Sequence, residues 1–224
     1  MCGRFNLVAS GEAILEHFNL RRLPKYRADY NIPPGQKILA VVALDDGSYK
    51  GVNLYWGLLP SWSKDRKIAN RLINARAETL TAKPSFREAF RSRRCLIPAT
   101  GFFEWQQTGS GKQPFHIHYT DYRLFAFAGV WEHWQDGQET VYSCAIVTTA
   151  ANDLMCPIHQ RMPVIIAPEY YSDWLDKHNQ APDIFEFAPP IAYDEMQLTP
   201  ISSRINNPVH NDPSCLHRIT LQRD

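Results

Sequence analysis

CLIPATGFFEWQQTGSGKQPFHIHYTDYRLFAFAGVWEHWQDGQETVYSCAIVTTA, residues 95–150, decides the fold. Four strand-like runs, 95–105, 113–120, 122–134 and 139–150, follow one another, rich in β-branched and aromatic residues. QTGSGK (107–112) and QDGQ (135–138) separate runs with the Gly-containing signals of hairpin turns. Working outward, KILAVVAL (37–44) and YKGVNLYWG (49–57) flank DDGS and predict a further hairpin, and MPVIIA (162–167) another short strand. LINAR (72–76) reads as loop and strand. YNIPPGQ (30–36) is a Pro/Gly loop stiffened by Pro33 and Pro34. Helical spacing is confined to GEAILEHFNL (11–20), SFREAFRSRR (85–94) and PEYYSDWLDK (168–177), the last with Pro168 in its first turn. The expectation is a single α+β domain over 1–224. Its sheet is mainly antiparallel, able to curl into a barrel, with helices around it.

Of the 224 residues, 44% are hydrophobic and 21% charged, enough to bury a real core. No apolar run approaches the roughly 18 residues that span a bilayer, so no membrane association is expected. The five cysteines are irregularly spaced and form no C-x-x-C pair. Neither a disulfide framework nor a zinc site is indicated, and no metal or cofactor is expected. A reducing setting follows, cytoplasmic, or nuclear if the source is eukaryotic. The net charge of +1 argues against a generally basic nucleic-acid binder. Between Lys64 and Arg94, however, ten Lys/Arg face three Asp/Glu, a local +7 that leaves −6 elsewhere. Such a face suits a polyanion, and an ordinary solvated surface is the alternative.

Several residue types could carry chemistry. Cys2 follows the initiator directly, and removal of Met1 would leave an amine and a thiol on one residue, a 1,2-aminothiol that reacts with aldehydes. Lipidation fits poorly, because the glycine stands one place too late and no hydrophobic leader precedes the cysteine. A cysteine near a terminus by chance is the plain alternative. In INARAET, strand alternation would set Asn74, Arg76 and Glu78 on one face, with an Arg76–Glu78 surface pair as the rival reading. Alternation points Glu104 away from Phe103 and Trp105, in a strand aromatic enough to raise a carboxyl pKa. His159 and Arg161 precede a strand, with Cys156 nearby but too few ligands for zinc. Trp62 adjoins the basic run, as a stacking platform or as core.

Taken together, CGR, YNIPPG, YWGLLPSW, INARAET, RRCLIPATGFFEW, IHQRMPVI and PISSRINN stand in an order that resembles the SRAP-domain family of abasic-site processing proteins, over almost the whole chain. The resemblance implies a monomeric sensor that crosslinks covalently to abasic sites in single-stranded DNA through a thiazolidine, with autopeptidase and lyase-type activities. In a bacterium it would be nucleoid-associated when on DNA. It further implies that Cys2 forms the crosslink, that Asn74, Glu104 and His159 are catalytic, and that Arg4, Arg76 and Arg161 contact phosphates. Pro34 and Trp62 would splay the DNA, and Arg4 would favour the thiolate of Cys2. Two positions depart from the family pattern, Ser63 where many relatives have a second aromatic and Pro84 where many have a basic residue. The competing classes are an N-terminal-nucleophile amidohydrolase, since class II glutamine amidotransferases also begin Met-Cys-Gly, a thiol peptidase built on Cys2 and His159, and a non-enzymatic DNA-binding module.

Overall fold

The computed structural model describes residues 2–109, 111–137, 139–179, 182–187 and 195–221. In chain order the strands are β1 (Phe5–Leu7), β2 (Asp29–Ile32), β3 (Lys37–Ala43), β4 (Tyr49–Trp56), β5 (Asn74–Arg76), β6 (Arg94–Ala99), β7 (Gly101–Thr108), β8 (Gly111–Tyr119), β9 (Phe125–Gln135), β10 (Thr140–Ala150), β11 (Arg161–Pro163), β12 (Ile165–Ile166) and β13 (Met196–Pro200). The helices are α1 (Gly11–His17), α2 (Arg87–Ser92) and α3 (Tyr171–Leu175).

Each expected hairpin forms. β3 and β4 pair from Lys37↔Tyr55 to Ala43↔Tyr49. β7 pairs with β8, and β9 with β10, although Ser110 and Gln138 within the two turns lie outside the described residues. Following the pairings β10–β4–β3–β6–β9 and back to β10 closes a five-stranded barrel. Closure satisfies the backbone groups that an edge would leave open. The β4–β10 seam is parallel, as is β5 alongside β10, so the sheet is mixed rather than purely antiparallel. A second sheet runs β13–β8–β7–β1–β2. Phe5 and Phe102 of this second sheet meet barrel Phe127 edge-on, at ring separations of 5.7 and 6.0 Å, and Phe5 also meets Trp56 at 5.3 Å. All four rings are buried, and burial of each phenylalanine contributes about 1.5–3 kcal/mol.

Two sequence runs divide where the chain changes partners. Residues 95–105 split at Thr100, so that β6 belongs to the barrel and β7 to the second sheet. Gly101 makes that corner possible, because a Cβ there would stand 2.0 Å from Nε2 of His116. MPVIIA likewise divides into β11, paired with β10, and β12, paired with β9. The helices are shorter than their apolar spacing suggests. Ser10 caps α1 by accepting from the Ala13 N–H at 3.1 Å, and Asn19 at φ 50° turns the chain out of it. A 3₁₀ turn (Pro168–Tyr170) carries the expected N-terminal proline ahead of α3.

The basic run is not one surface. Arg94 is buried and donates to the carbonyls of Trp174 (2.6 Å), Phe90 (2.7 Å) and Asn179 (2.9 Å), tying the ends of α2 and α3 to β6. Arg93 is spent on Glu132 at 2.9 Å. The local +7 therefore overstates the charge this segment offers a ligand. Among the described residues no helix is long and apolar enough to cross a membrane.

Candidate active site

Asn74 opens β5 opposite Ile146 of β10, and its side-chain Nδ2 donates to the carbonyl of Cys2 at 2.8 Å. Its Oδ1 is buried with no hydrogen-bond partner among the described residues. Glu104 lies in β7 and faces away from Phe103 and Trp105, as alternation requires. It is 5% exposed, and burial raises its carboxyl from the ordinary 4.5 to about 7. Cys2 is fully buried, and its thiol is pushed well up by burial and, second, by the charge of Glu104. The two side chains are therefore electrostatic neighbours, and at neutral pH the thiol keeps its proton.

That result corrects the expected partnership of Arg4 with a Cys2 thiolate. Arg4 follows the other face of the sheet, with its guanidinium 5.8 Å over the Trp105 ring. Nη1 donates to Oδ1 of Asn31 (2.7 Å) and to the Ile205 carbonyl (2.9 Å). Sequence reasoning missed Asn31, which is 1% exposed and whose Nδ2 donates to the carbonyls of Ile205 (3.3 Å), Asn207 (3.1 Å) and His210 (2.7 Å). The available signal was its place inside YNIPPG together with the late PISSRINN, two motifs that this one amide joins.

His159 lies near the end of the loop between β10 and β11. Gln106, which shares the Glu104 face of β7, donates to the Pro157 carbonyl at 3.2 Å and so holds that loop over the same side of the sheet. The His159 Nδ1 lies 2.9 Å from the Arg161 N–H and 3.1 Å from the Arg161 carbonyl, so the backbone of Arg161 holds the ring in place. Burial lowers the imidazole pKa, and the positive amino terminus of the chain lowers both it and, against the effect of burial, the Glu104 carboxyl. A buried carboxyl and an amide donor thus meet at Cys2, and the His159 imidazole lies on the loop that Gln106 holds over the same side of the sheet.

The basic residues divide. The strand ends at Arg76, and Glu78 falls in a 3₁₀ turn (Ala77–Thr79), so the alternation expected through Glu78 stops one residue pair short. Glu78 pairs with Arg161 through Nη1–Oε1 (2.6 Å) and Nη2–Oε2 (3.0 Å) rather than with Arg76, and Arg161 also donates to the Thr148 carbonyl at 2.6 Å. Arg76 is exposed. Beside Asn74 opens a cavity of about 450 Å³, walled by Leu72, Arg76, Lys83 and Phe86. Pro34 and Trp62, the latter 58% exposed, stand on loops that do not line it.

The family described as SOS response associated peptidase (SRAP) matches residues 1–208. The chain is 43% identical over 223 residues to the abasic site processing protein YoqW of Bacillus subtilis, covering 96% of this chain and 99% of that one. It is 31% identical to the abasic site processing protein HMCES of Gallus gallus, across 88% of this chain and 68% of the relative. A crystal structure of a protein from Bacteroides thetaiotaomicron superposes with a TM-score of 0.83 at 26% identity, covering 98% of this chain and all of the other. The order of the sequence motifs, the barrel with its second sheet and these matches agree: the chain belongs to the SRAP family.

Proposed function

We propose that this protein processes abasic sites in single-stranded DNA by forming a thiazolidine between Cys2, once Met1 is removed, and the ring-opened sugar aldehyde. The observation that carries the reading is the convergence on Cys2 of the Asn74 amide and of a carboxyl raised to about 7, Glu104. Support also comes from relatives whose names describe abasic-site processing.

An α-amine with a pKa near 7.7–8.0 is about 10–20% neutral at pH 7, against roughly 0.04% for a lysine. The Cys2 amine therefore attacks the aldehyde carbon first, giving a carbinolamine. Glu104, near half-protonated at neutral pH, takes the proton lost by nitrogen and returns one to the departing hydroxyl, so water leaves and an imine forms. The thiol then adds across C=N. Sulfur bonds to the former aldehyde carbon, the thiol proton passes to nitrogen, and a five-membered ring closes. The net change is loss of one water. A protonated resident thiol suits this order, because sulfur is needed only after the imine exists. Asn74 holds the Cys2 backbone without competing as a base, and the His159 imidazole passes a proton to the sugar oxygen as the ring opens.

The test is intact mass before and after incubation with an abasic single-stranded oligonucleotide. The expected adduct weighs the mature chain plus the oligonucleotide less one water, and an uncleavable N-terminal tag abolishes it. Cys2→Ser should yield an imine that borohydride traps but little adduct surviving heat and detergent. Normal adduct from the tagged chain, or glutamine hydrolysis in place of any adduct, overturns the reading.

A further inference from the structure

The outer wall of the barrel carries a groove that shares no lining residue with the cavity beside Asn74. Two hollows, of about 380 and 220 Å³, adjoin there and share Lys37 and Asn53. The β3–β4 register explains them. Ile38, Leu54 and Trp56 point into the barrel and are buried, which leaves Lys37, Asn53 and Tyr55 on the outside. Tyr142 of β10 joins Tyr55 in the larger hollow, 53% exposed, and its ring lies 6.3 Å from Trp131 and 6.5 Å from His133, so the aromatic surface continues across β9.

Charge follows the same line. Residues 21–37 hold five Lys/Arg against Asp29 alone, although the chain outside 64–94 is net acidic. Lys25 and Arg27 from this segment line the smaller hollow and Arg66 the larger. Arg66 is held by Glu139 at 2.7 Å, whereas Lys25, Arg27 and Lys37 form no ion pair among the described residues. The groove also lies between the Pro34 and Trp62 loops, for which the family resemblance implies contact with DNA. The Gly35 N–H, next to Pro34, bonds the Trp56 carbonyl at 2.9 Å, and Gln36 lines the smaller hollow. Leu59, Arg66 and Ala69, which flank Trp62 in sequence, line the larger.

We infer that this groove is a binding track for the undamaged single-stranded DNA flanking the lesion, with bases on Tyr55 and Tyr142 and phosphates against Lys25, Arg27 and Lys37. Flat aromatic faces accept any base, and spaced unpaired cations follow a flexible backbone. The inference rests on the reading of the chain as a single-strand DNA binder, and the experiment separates the two.

Equilibrium affinity is measured for undamaged oligonucleotides of about 6 and about 16 nucleotides, both within the range of single-strand site sizes, and for a duplex of the longer sequence. Crosslinking to a short abasic strand is scored in parallel. The longer strand should bind the unmodified protein several-fold more tightly than the shorter. Tyr142→Ala should remove most of that gain. Lys37→Ala should do likewise and flatten the salt dependence of the longer strand by about 0.7. Both variants should crosslink the short abasic strand as the unmodified protein does. Loss of crosslinking by the unmodified protein, with the length effect intact, overturns the abasic-site reading and leaves the track standing. The track is overturned if length brings no gain, if both variants weaken short and long strands equally, or if duplex binds as tightly as the long single strand.

Discussion

The two faces of β7 treat buried ionisable groups in opposite ways. On one, burial lifts Glu104 from 4.5 to about 7. On the other, His116 lies tilted against Phe103 at 5.1 Å and stacks on His118 at 4.6 Å, bonds Asn6 at 3.1 Å, and is driven from 6.5 to about 3 by burial first and by His118 second. The same physical term acts on both, since a poorly solvated site disfavours whichever form is charged. For a carboxyl the shift leads into the neutral range, and for an imidazole it leads out of it. Burying a glutamate beside Cys2 therefore makes a proton exchanger, whereas burying a histidine behind the sheet makes an inert packing piece. The contrast also predicts opposite pH slopes for stability. Glu104, with a folded pKa above its unfolded value, costs stability as pH rises from 4.5 through 7, by about 3 kcal/mol in full. His116, with a folded pKa below its unfolded value, costs stability as pH falls from 6.5 towards 3.

The largest effect should come from Glu104→Gln, which keeps the shape and removes the exchangeable proton. Crosslinking to abasic DNA should slow about a thousandfold. The variant should lose the decline in stability between pH 4.5 and 7 and be more stable than the unmodified protein at pH 8. Thermal melts across that range, alongside single-turnover crosslinking, would break the comparison if rate or slope stayed the same. Next is His116→Phe. It orphans Asn6 Oδ1, at about 1–3 kcal/mol at neutral pH, but removes one group that must take up a proton on acid unfolding. The acid limb of an unfolding titration should become shallower, with crosslinking at pH 7 near normal per folded molecule. An unchanged acid limb would place the acid sensitivity in other groups.

The smallest effect on chemistry should come from Asn31→Ala, which frees the Ile205, Asn207 and His210 carbonyls and one contact of Arg4. Stability should fall by about 2–3 kcal/mol, and a double-mutant cycle with Arg4→Ala should show coupling, because the two share a bond. Crosslinking per folded molecule should stay within about twofold if the outer face only supports the site. Arg4→Ala sharpens this further. An unchanged salt dependence of DNA binding assigns Arg4 to structure, and a slope reduced by about 0.7 returns it to phosphate contact as the family resemblance implies.

Much of the architecture was readable in the chain. Period-two patterning and Gly-containing turns located the hairpins, and alternation alone aimed Glu104 away from Phe103 and Trp105. The proposed chemistry of Cys2 was readable from its position and its two functional groups. Asn74 was legible as a polar residue in strand register, and the order of seven motifs pointed to the family. These features are local, set by the backbone period and by residue type.

Tertiary structure decided the rest. Alternation says which face a side chain takes but not which sheet the strand joins, so the break at Thr100–Gly101, the pairing of β6 with β9 and the parallel seams emerge only when strands distant in sequence meet. Cations show the same limit. Arg94 reads as part of a basic surface until α3 brings carbonyls to bury it, and Arg161 reads as a free cation until the turn after Arg76 hands it Glu78. Arg4 beside Cys2 reads as a thiolate partner, yet its acceptor at Ile205 is 201 residues away in the chain. A charged side chain's partner is set by whichever groups folding brings within about 3 Å. For these arginines the deciding groups, the α3 carbonyl for Arg94, Glu78 for Arg161 and Ile205 for Arg4, come from segments distant in sequence.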